Sequence, residues 1–148
     1  GEEKASRKIA SAIIKSREIK PIETTFELSN IIQGVIKRNG KTHPATKSFQ
    51  AIRIHVNDEL HHLKIALSKL EKFLKLGGMV VIISFHSLED RIVKNFFKSN
   101  SFKKDNFKNQ LNWGFEILTK RPITPNQIEI KNNPRSRSSK LRVGRFIN

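Results

Sequence analysis

The chain has 148 residues, of which 36% are hydrophobic, enough for one domain with a real core. It has no cysteine, which excludes disulfides and cysteine-based zinc sites, and its apolar runs are too short to span a bilayer. Its formal net charge of +16 favours nucleic acid as the partner over a merely solvated basic surface or a membrane. We see no secretory signal peptide, and the lack of cysteine suits a reducing cytoplasm, where we expect the protein.

Two short helices are predicted first. The first covers residues 3–17, with apolar side chains on one face and lysine and arginine on the others. Thr24 and Glu27 have the spacing of a capping box for the second helix, which is expected to end at Asn39–Gly40. The pattern predicts a small helical subdomain over residues 1–41. Simple packing explains it as well as an RNA-facing role does.

A long helical stretch is predicted next, from Pro44 to about Lys75, with at most one break. Apolar residues recur at helical spacing and are expected to form its buried stripe: Val56, Leu60, Leu63, Leu67, Leu70 and Leu74.

The segment that follows reads as helix end, strand, turn and new helix. Gly77–Gly78 ends the preceding helix. Met79–Ile83 is a continuous apolar run, typical of a strand buried on both faces in a parallel sheet, and the strand is predicted to extend to Phe85. Ser87 is the expected N-cap of a helix over residues 88–98, with Asp90 in its acidic first turn.

The last third of the chain has less regular patterns. Residues 99–114 are predicted to be a mobile loop, Phe115–Thr119 a strand, residues 120–134 a long connection and Lys140–Ile147 a final strand. Three strands are fewer than the roughly five or more of a doubly wound sheet. The apolar strand therefore needs neighbours that the chain does not obviously supply.

Three blocks of this sequence, His43–Ile54, Gly77–Arg91 and Asn133–Arg142, carry a family resemblance. In this order they closely resemble the 16S rRNA (cytosine-N4)-methyltransferase H family, also called the MraW family. The resemblance covers nearly the whole chain, which looks like the C-terminal half of a longer member. It implies an α/β fold, the C-terminal part of a class I (Rossmann-like) methyltransferase sheet over residues 42–148. Residues 1–41 would then be the C-terminal part of a helical insertion.

The resemblance also implies a reaction. The family transfers a methyl group from S-adenosylmethionine to the exocyclic N4 amine of a cytidine in 16S rRNA of the small ribosomal subunit. A glycine-rich turn after a strand, which such a cofactor needs, is absent here, so we expect no cofactor ligand in this chain. The residues that bind S-adenosylmethionine are expected in the missing N-terminal half, and this fragment alone is expected to be inactive.

Two other functions remain open. One is a noncatalytic basic RNA-binding module that has lost the cofactor half. The other is a helix-turn-helix DNA-binding protein, which is disfavoured because a proline turn joins the first two helices and the apolar strand would go unexplained.

His86 and Ser87 are the predicted residues of the substrate-base pocket. Ligands of open α/β sheets sit at the carboxyl ends of strands, and both residues follow the apolar strand directly. A polar group there can hold a base that has left its stack. The alternative is that both residues only shape the turn and cap the helix.

Basic residues in the other two blocks are predicted to contact RNA, since arginine forks and lysines suit phosphate oxygens. Capping and packing, or a solvated edge strand, are the structural alternatives. We expect no metal site, because the adjacent His61 and His62 splay apart on a helix. The predicted RNA-contacting residues are His43, Arg53, Arg135, Arg137, Lys140 and Arg142.

Overall fold

The computed structural model of the chain describes residues 2–36, 42–102 and 113–147. The chain divides into two compact units, Gly1–Glu59 and Leu60–Asn148. The boundary predicted from the sequence lies earlier, between residues 41 and 42. The structure instead places the third helix in the first unit. The helices are α1 (Ser6–Ile19), α2 (Thr25–Val35), α3 (Thr46–Val56), α4 (Glu59–Ser68), α5 (Ser87–Ser99) and α6 (Gln127–Asn132), and the strands are β1 (Met79–Ser84), β2 (Gly114–Ile117) and β3 (Lys140–Ile147). Two 3₁₀ turns cover Leu70–Phe73 and Pro134–Ser138.

The predicted capping box of α2 is confirmed. The Glu27 N–H donates to Thr24 Oγ1 at 3.1 Å, and the Thr24 N–H donates to Glu27 Oε2 at 3.0 Å. Hydrogen bonds from the backbone N–H groups of Glu23 and Thr24 lower the pKa of Glu27 to about 2. The predicted helix end at Asn39–Gly40 lies outside the described residues. Within this unit, Ile9, Ile32 and Ala45 form the buried core.

The predicted long helix is broken more often than expected. Asp58 has a left-handed backbone with φ 49°, which ends the run between α3 and α4. A 3₁₀ turn then replaces the last predicted helical turns. Leu67 is buried as predicted, but the burial predicted for Val56 is wrong, since this residue is 74% exposed. Because the helical run breaks directly after α3, Val56 is out of phase with the apolar stripe that follows.

The sheet has the order β1-β3-β2, and β3 is antiparallel to both neighbours. The last two strands of the chain, β2 and β3, form an antiparallel pair. The expected parallel character of β1 is not found in the described residues, where its pairing with β3 is antiparallel.

One face of the sheet carries the core of the second unit. Val80 on β1 and Phe115 on β2 pack against Val93 and Phe97 of α5. These four residues are buried together with Leu67. The opposite face of β1 is different, because its apolar side chains are more than half exposed: Met79, Val81 and Ile83. The prediction that β1 is buried on both faces is therefore wrong for the described structure.

Two further predictions are corrected. The connection over residues 120–134 contains α6, which begins where Asn126 Oδ1 accepts a hydrogen bond from the Glu129 N–H at 2.8 Å. In the predicted mobile loop, Ser101 pairs with Phe115. The rest of that prediction falls mainly on residues 103–112, which lie outside the described residues.

Gly144 on β3 provides a test of the core. A Cβ at this position would lie 2.5 Å from the buried ring of Phe97. Gly144→Ala should therefore lower the free energy of unfolding by about 1–3 kcal/mol, the usual cost of overpacking. Gly34→Ala in α2 is the matched control, because nothing lies within 4 Å of its Cβ position, and it should raise stability by about 0.5–1 kcal/mol. Urea denaturation of both variants measures this, and equal effects would contradict the packing argument.

Candidate functional site

The turn between β1 and α5 is built by a histidine cap. His86, with an extended backbone, is the N-cap of α5, and the Glu89 N–H donates to its Nδ1 at 3.3 Å. Glu89 Oε2 in turn accepts from the backbone N–H groups of Phe85 at 2.8 Å and His86 at 3.3 Å. The prediction that Ser87 caps this helix is wrong: Ser87 is the first helical residue, and it is exposed. An imidazole nitrogen replaces the usual hydroxyl because its lone pair reaches the N3 amide equally well.

The cap fixes the tautomer of His86. Because Nδ1 accepts a hydrogen bond, the proton of the neutral imidazole sits on Nε2. Nε2 is buried and has no hydrogen-bond partner among the described residues, although it lies 3.4 Å from Glu89 Oε1. The Glu89 carboxylate lies close to this buried N–H without forming a hydrogen bond with it, so the atom is an unusual feature at the carboxyl end of β1.

A buried ion pair joins α5 to β3 at the same end of the sheet. Arg142 donates from Nε to Asp90 Oδ1 at 2.7 Å and from Nη2 to Oδ2 at 3.2 Å. Lys140 Nζ lies 3.4 Å from Asp90 Oδ2. The side chains of Asp90 and Arg142 are 11% and 9% exposed. The hydrogen bond from Arg142 is the main cause that holds the pKa of Asp90 below its usual range.

This pairing separates the predicted RNA-contacting residues of the third block. Lys140 and Arg142 lie on the strand face toward α5 and are engaged with Asp90. Arg135 and Arg137 lie in the 3₁₀ turn Pro134–Ser138, and both are exposed. Neither arginine has an ion pair within the part of the chain that the structure describes, so both guanidinium groups can reach phosphate oxygens.

The turn that carries these two arginines is fixed from inside. Ser136 is buried, and its Oγ donates to the carbonyl of Asn133 at 2.8 Å. The Ser139 N–H closes the turn onto the Ser136 carbonyl at 2.7 Å. Ser84, at the end of β1, is also buried, and its Oγ donates to the Lys140 carbonyl at 3.4 Å.

The first unit holds His43 and Arg53, the other predicted RNA contacts. His43 is exposed, and its Nδ1 accepts from the Ala45 N–H at 3.2 Å. Arg53 makes two hydrogen bonds to Glu59, at 2.8 and 3.1 Å. Its guanidinium therefore already has a carboxylate partner. The proposed contact of these residues with RNA stays a prediction.

Sequence reasoning missed the role of two carboxylates. Glu89 completes the capping box of α5, and the spacing His-x-x-Glu was the local signal for it. Asp90 had been assigned only to the helix first turn, and no local signal shows its partner Arg142, which lies 52 residues further along the chain.

A site for S-adenosylmethionine does not fit the described residues. Such a site needs a glycine-rich turn after one strand and an acidic ribose partner after another. Here β1 is followed by Phe85 and His86, β2 is followed by Leu118, and Gly77–Gly78 precedes β1. Glu89 and Asp90 are the acidic residues that follow β1: the Glu89 carboxylate accepts the backbone N–H groups of Phe85 and His86, and the oxygens of Asp90 are taken by Arg142. The expectation that the cofactor ligands lie outside this chain stays a prediction.

Among the described helices, none combines the length and apolar character that a membrane-spanning helix requires.

Comparison with known proteins gives consistent matches. The family model of the MraW methylase family matches residues 1–147. Ribosomal RNA small subunit methyltransferase H of Persephonella marina is 52% identical over 150 residues, which cover 99% of this chain and 48% of that protein. The protein of the same name from Caldicellulosiruptor bescii is 52% identical over 158 residues, 99% of this chain and 50% of that protein. That of Leptospira interrogans is 51% identical over 147 residues, 97% of this chain and 41% of that protein. The chain thus spans about half the length of the curated relatives it matches.

Proposed function

Because the chain belongs to the MraW methylase family, we propose that it is part of a methyltransferase acting on small-subunit rRNA. The reaction proposed is S-adenosylmethionine-dependent methylation of the exocyclic N4 amine of a cytidine in 16S rRNA. The relatives named ribosomal RNA small subunit methyltransferase H support the rRNA substrate. The net charge of +16 agrees with a polyanionic partner. An enzyme of this kind works where ribosomes assemble, so we place it in the cytoplasm.

The buried Nε2–H of His86, which makes no hydrogen bond within the described residues, is the observation that carries the cytosine proposal. In a cytosine, the atoms beside the N4 amine on the Watson–Crick edge are acceptors, N3 and O2. A buried donor at the carboxyl end of β1, fixed in one tautomer by its cap, suits such an acceptor. His86 would hold the base by donating from Nε2. It would not take the amine proton, because Nδ1 is occupied by the Glu89 N–H.

Ser87 has a lesser part in this proposal. It is exposed at the first turn of α5 and already makes an interaction within the protein. Its hydroxyl lies next in the chain to the His86 cap, at the same strand end. We keep it as a base-pocket residue beside His86.

RNA backbone contact is proposed for Arg135 and Arg137, with His43 as a further contact from the first unit. The two arginines are exposed on a turn that internal hydrogen bonds hold in shape, which lowers the cost of ordering them on a phosphate. Lys140 and Arg142, on the strand that follows this turn, bind Asp90 and so fix the strand to α5. Arg53 would need to leave Glu59 to contact RNA.

The second unit is proposed to be the C-terminal part of a larger class I sheet. In the described residues β1 is paired along one edge, and one of its faces is apolar and exposed. A protein about twice as long, like the relatives, has the residues to extend that edge and cover that face. Residues 1–41 would be part of a helical insertion in that fold, and residues 42–148 would belong to its core.

The misfit of S-adenosylmethionine to the described residues favours one alternative, a noncatalytic RNA-binding module. The two proposals predict different products from the same assay. The full-length protein that carries this chain would be incubated with small-subunit rRNA and radiolabelled S-adenosylmethionine, and the RNA digested to nucleosides for mass spectrometry.

We expect the label in N4-methylcytidine. A label on cytosine carbon 5 or on ribose oxygen would contradict the amine as acceptor. RNA binding without any methyl transfer would leave the binding module as the function.

A further inference from the structure

A basic cleft lies on the second unit beside strand β2. Its lining residues do not include Arg135 or Arg137. It measures about 280 Å³ and is bounded by α5 and by the residues at the end of β2. Lys94 and Lys98 stand one helical turn apart on α5, and Lys120 follows β2. Phe97 and Ile117 give the cleft an apolar wall.

The charges around this cleft are one-sided. Lys94, Lys98 and Lys120 are exposed, and none of them makes an ion pair with a described residue. Among the described residues, no carboxylate lines the cleft. Arg142 also borders it, but its guanidinium charge is balanced by the buried carboxylate of Asp90. Three uncompensated ammonium groups therefore surround one concave, partly apolar surface.

We infer that this cleft binds the sugar–phosphate backbone of the substrate RNA, with the three lysines on phosphate oxygens. Lysine binds phosphate as a compact point charge and needs no fixed orientation, which suits a backbone that is read without regard to sequence. The apolar wall adds a surface for a ribose or a base edge, which inorganic phosphate would not use. The inference rests on the proposed function, since it assumes an RNA substrate, and adds a second contact surface to it.

Charge removal tests the inference directly. In the full-length protein, Lys94→Gln, Lys98→Gln and Lys120→Gln would be combined, and the dissociation constant for a single-stranded oligouridylate measured over a range of salt. Each phosphate contact on single-stranded nucleic acid adds about 0.7 to the slope of log affinity against log salt. The slope should fall by about 1–2, and affinity at low salt should drop about 10-fold or more.

A matched variant separates local contact from overall charge. Lys69→Gln, Lys72→Gln and Lys75→Gln remove the same charge from exposed lysines of the same unit that do not line the cleft. This variant should keep most of the slope, and the melting temperatures of both variants should equal that of the parent. Replacing the three cleft lysines by arginine should restore binding. Equal losses in both glutamine variants would overturn the inference.

The proposed function fails by a different result. Lysine-dependent RNA binding in a protein that transfers no methyl group to rRNA would remove the enzyme proposal and keep the cleft. Methyl transfer with equal RNA affinities in both glutamine variants would keep the enzyme and remove the cleft.

Discussion

Replacing Asp90 by asparagine is expected to destabilise the protein by about 3–5 kcal/mol, the usual cost of removing one partner from a buried ion pair. The variant keeps the shape of the side chain but leaves the Arg142 guanidinium, only 9% exposed, without its carboxylate. A domain of this size is stable by about 5–15 kcal/mol, so the loss is a large fraction of the total. Equilibrium unfolding in urea measures it.

A double-mutant cycle shows whether the loss comes from the pair. Arg142→Met alone should cost as much as Asp90→Asn, and the double variant should cost clearly less than the sum of the two. Glu116→Gln is the matched control, because Glu116 also pairs across to β3, with Arg145 at 3.4 Å, but both side chains are about half exposed. It should cost less than about 1 kcal/mol. Equal costs for Glu116→Gln and Asp90→Asn would contradict the special role of the buried pair.

The pair also makes stability depend on pH in a known direction. Because Arg142 lowers the pKa of Asp90 in the folded state, the stabilisation is fully present above the unfolded pKa of about 4. It is lost as the pH falls through the lower folded value. The stability difference between the parent protein and Asp90→Asn should therefore be constant near neutral pH and shrink below about pH 4.

Elements with a local signal were predictable from the sequence. The capping box of α2 needs only Thr24 and Glu27 three residues apart, and the apolar run Met79–Ile83 was enough to predict β1 within one residue. The alternation in Lys140–Ile147 likewise predicted β3. In each case neighbouring residues determine the conformation, so reading a short window is sufficient.

Other features depend on residues far apart in the sequence or on the backbone conformation of a single residue. The break at Asp58 rests on one left-handed residue within an otherwise helical pattern. The short helix α6 was hidden because prolines surround it. The partner of Asp90 lies on another element, and the burial of β1 depends on what covers each face. None of these can be read from a window of ten residues.

His86→Ala is expected to lower the rate of methyl transfer to small-subunit rRNA by roughly 10²-fold or more, the scale of losing a positioned polar group. This substitution alone does not show why, because it removes the cap of α5 together with the Nε2–H. Loss of an N-cap costs about 0.5–2 kcal/mol. Two further substitutions divide these roles.

His86→Asn keeps the cap, because Asn Oδ1 occupies the position of Nδ1 and accepts the Glu89 N–H, but it has no donor at the position of Nε2. His86→Gln has the reverse character, with an amide N–H that reaches the Nε2 position and a poor capping geometry. If His86 holds the base, the asparagine variant should melt close to the parent yet methylate about 10²-fold more slowly, and the glutamine variant should recover part of the rate despite a lower melting temperature.

Methyl transfer under single-turnover conditions and thermal unfolding would be measured on all three variants. A near-normal rate in His86→Asn would show that the imidazole serves α5 alone. The prediction favours the base contact because capping uses only Nδ1, and a serine does the same without burying a second polar atom. The buried Nε2–H has no hydrogen bond in the described residues, only the Glu89 carboxylate at 3.4 Å, and an acceptor on the bound cytosine would supply that hydrogen bond when the substrate arrives.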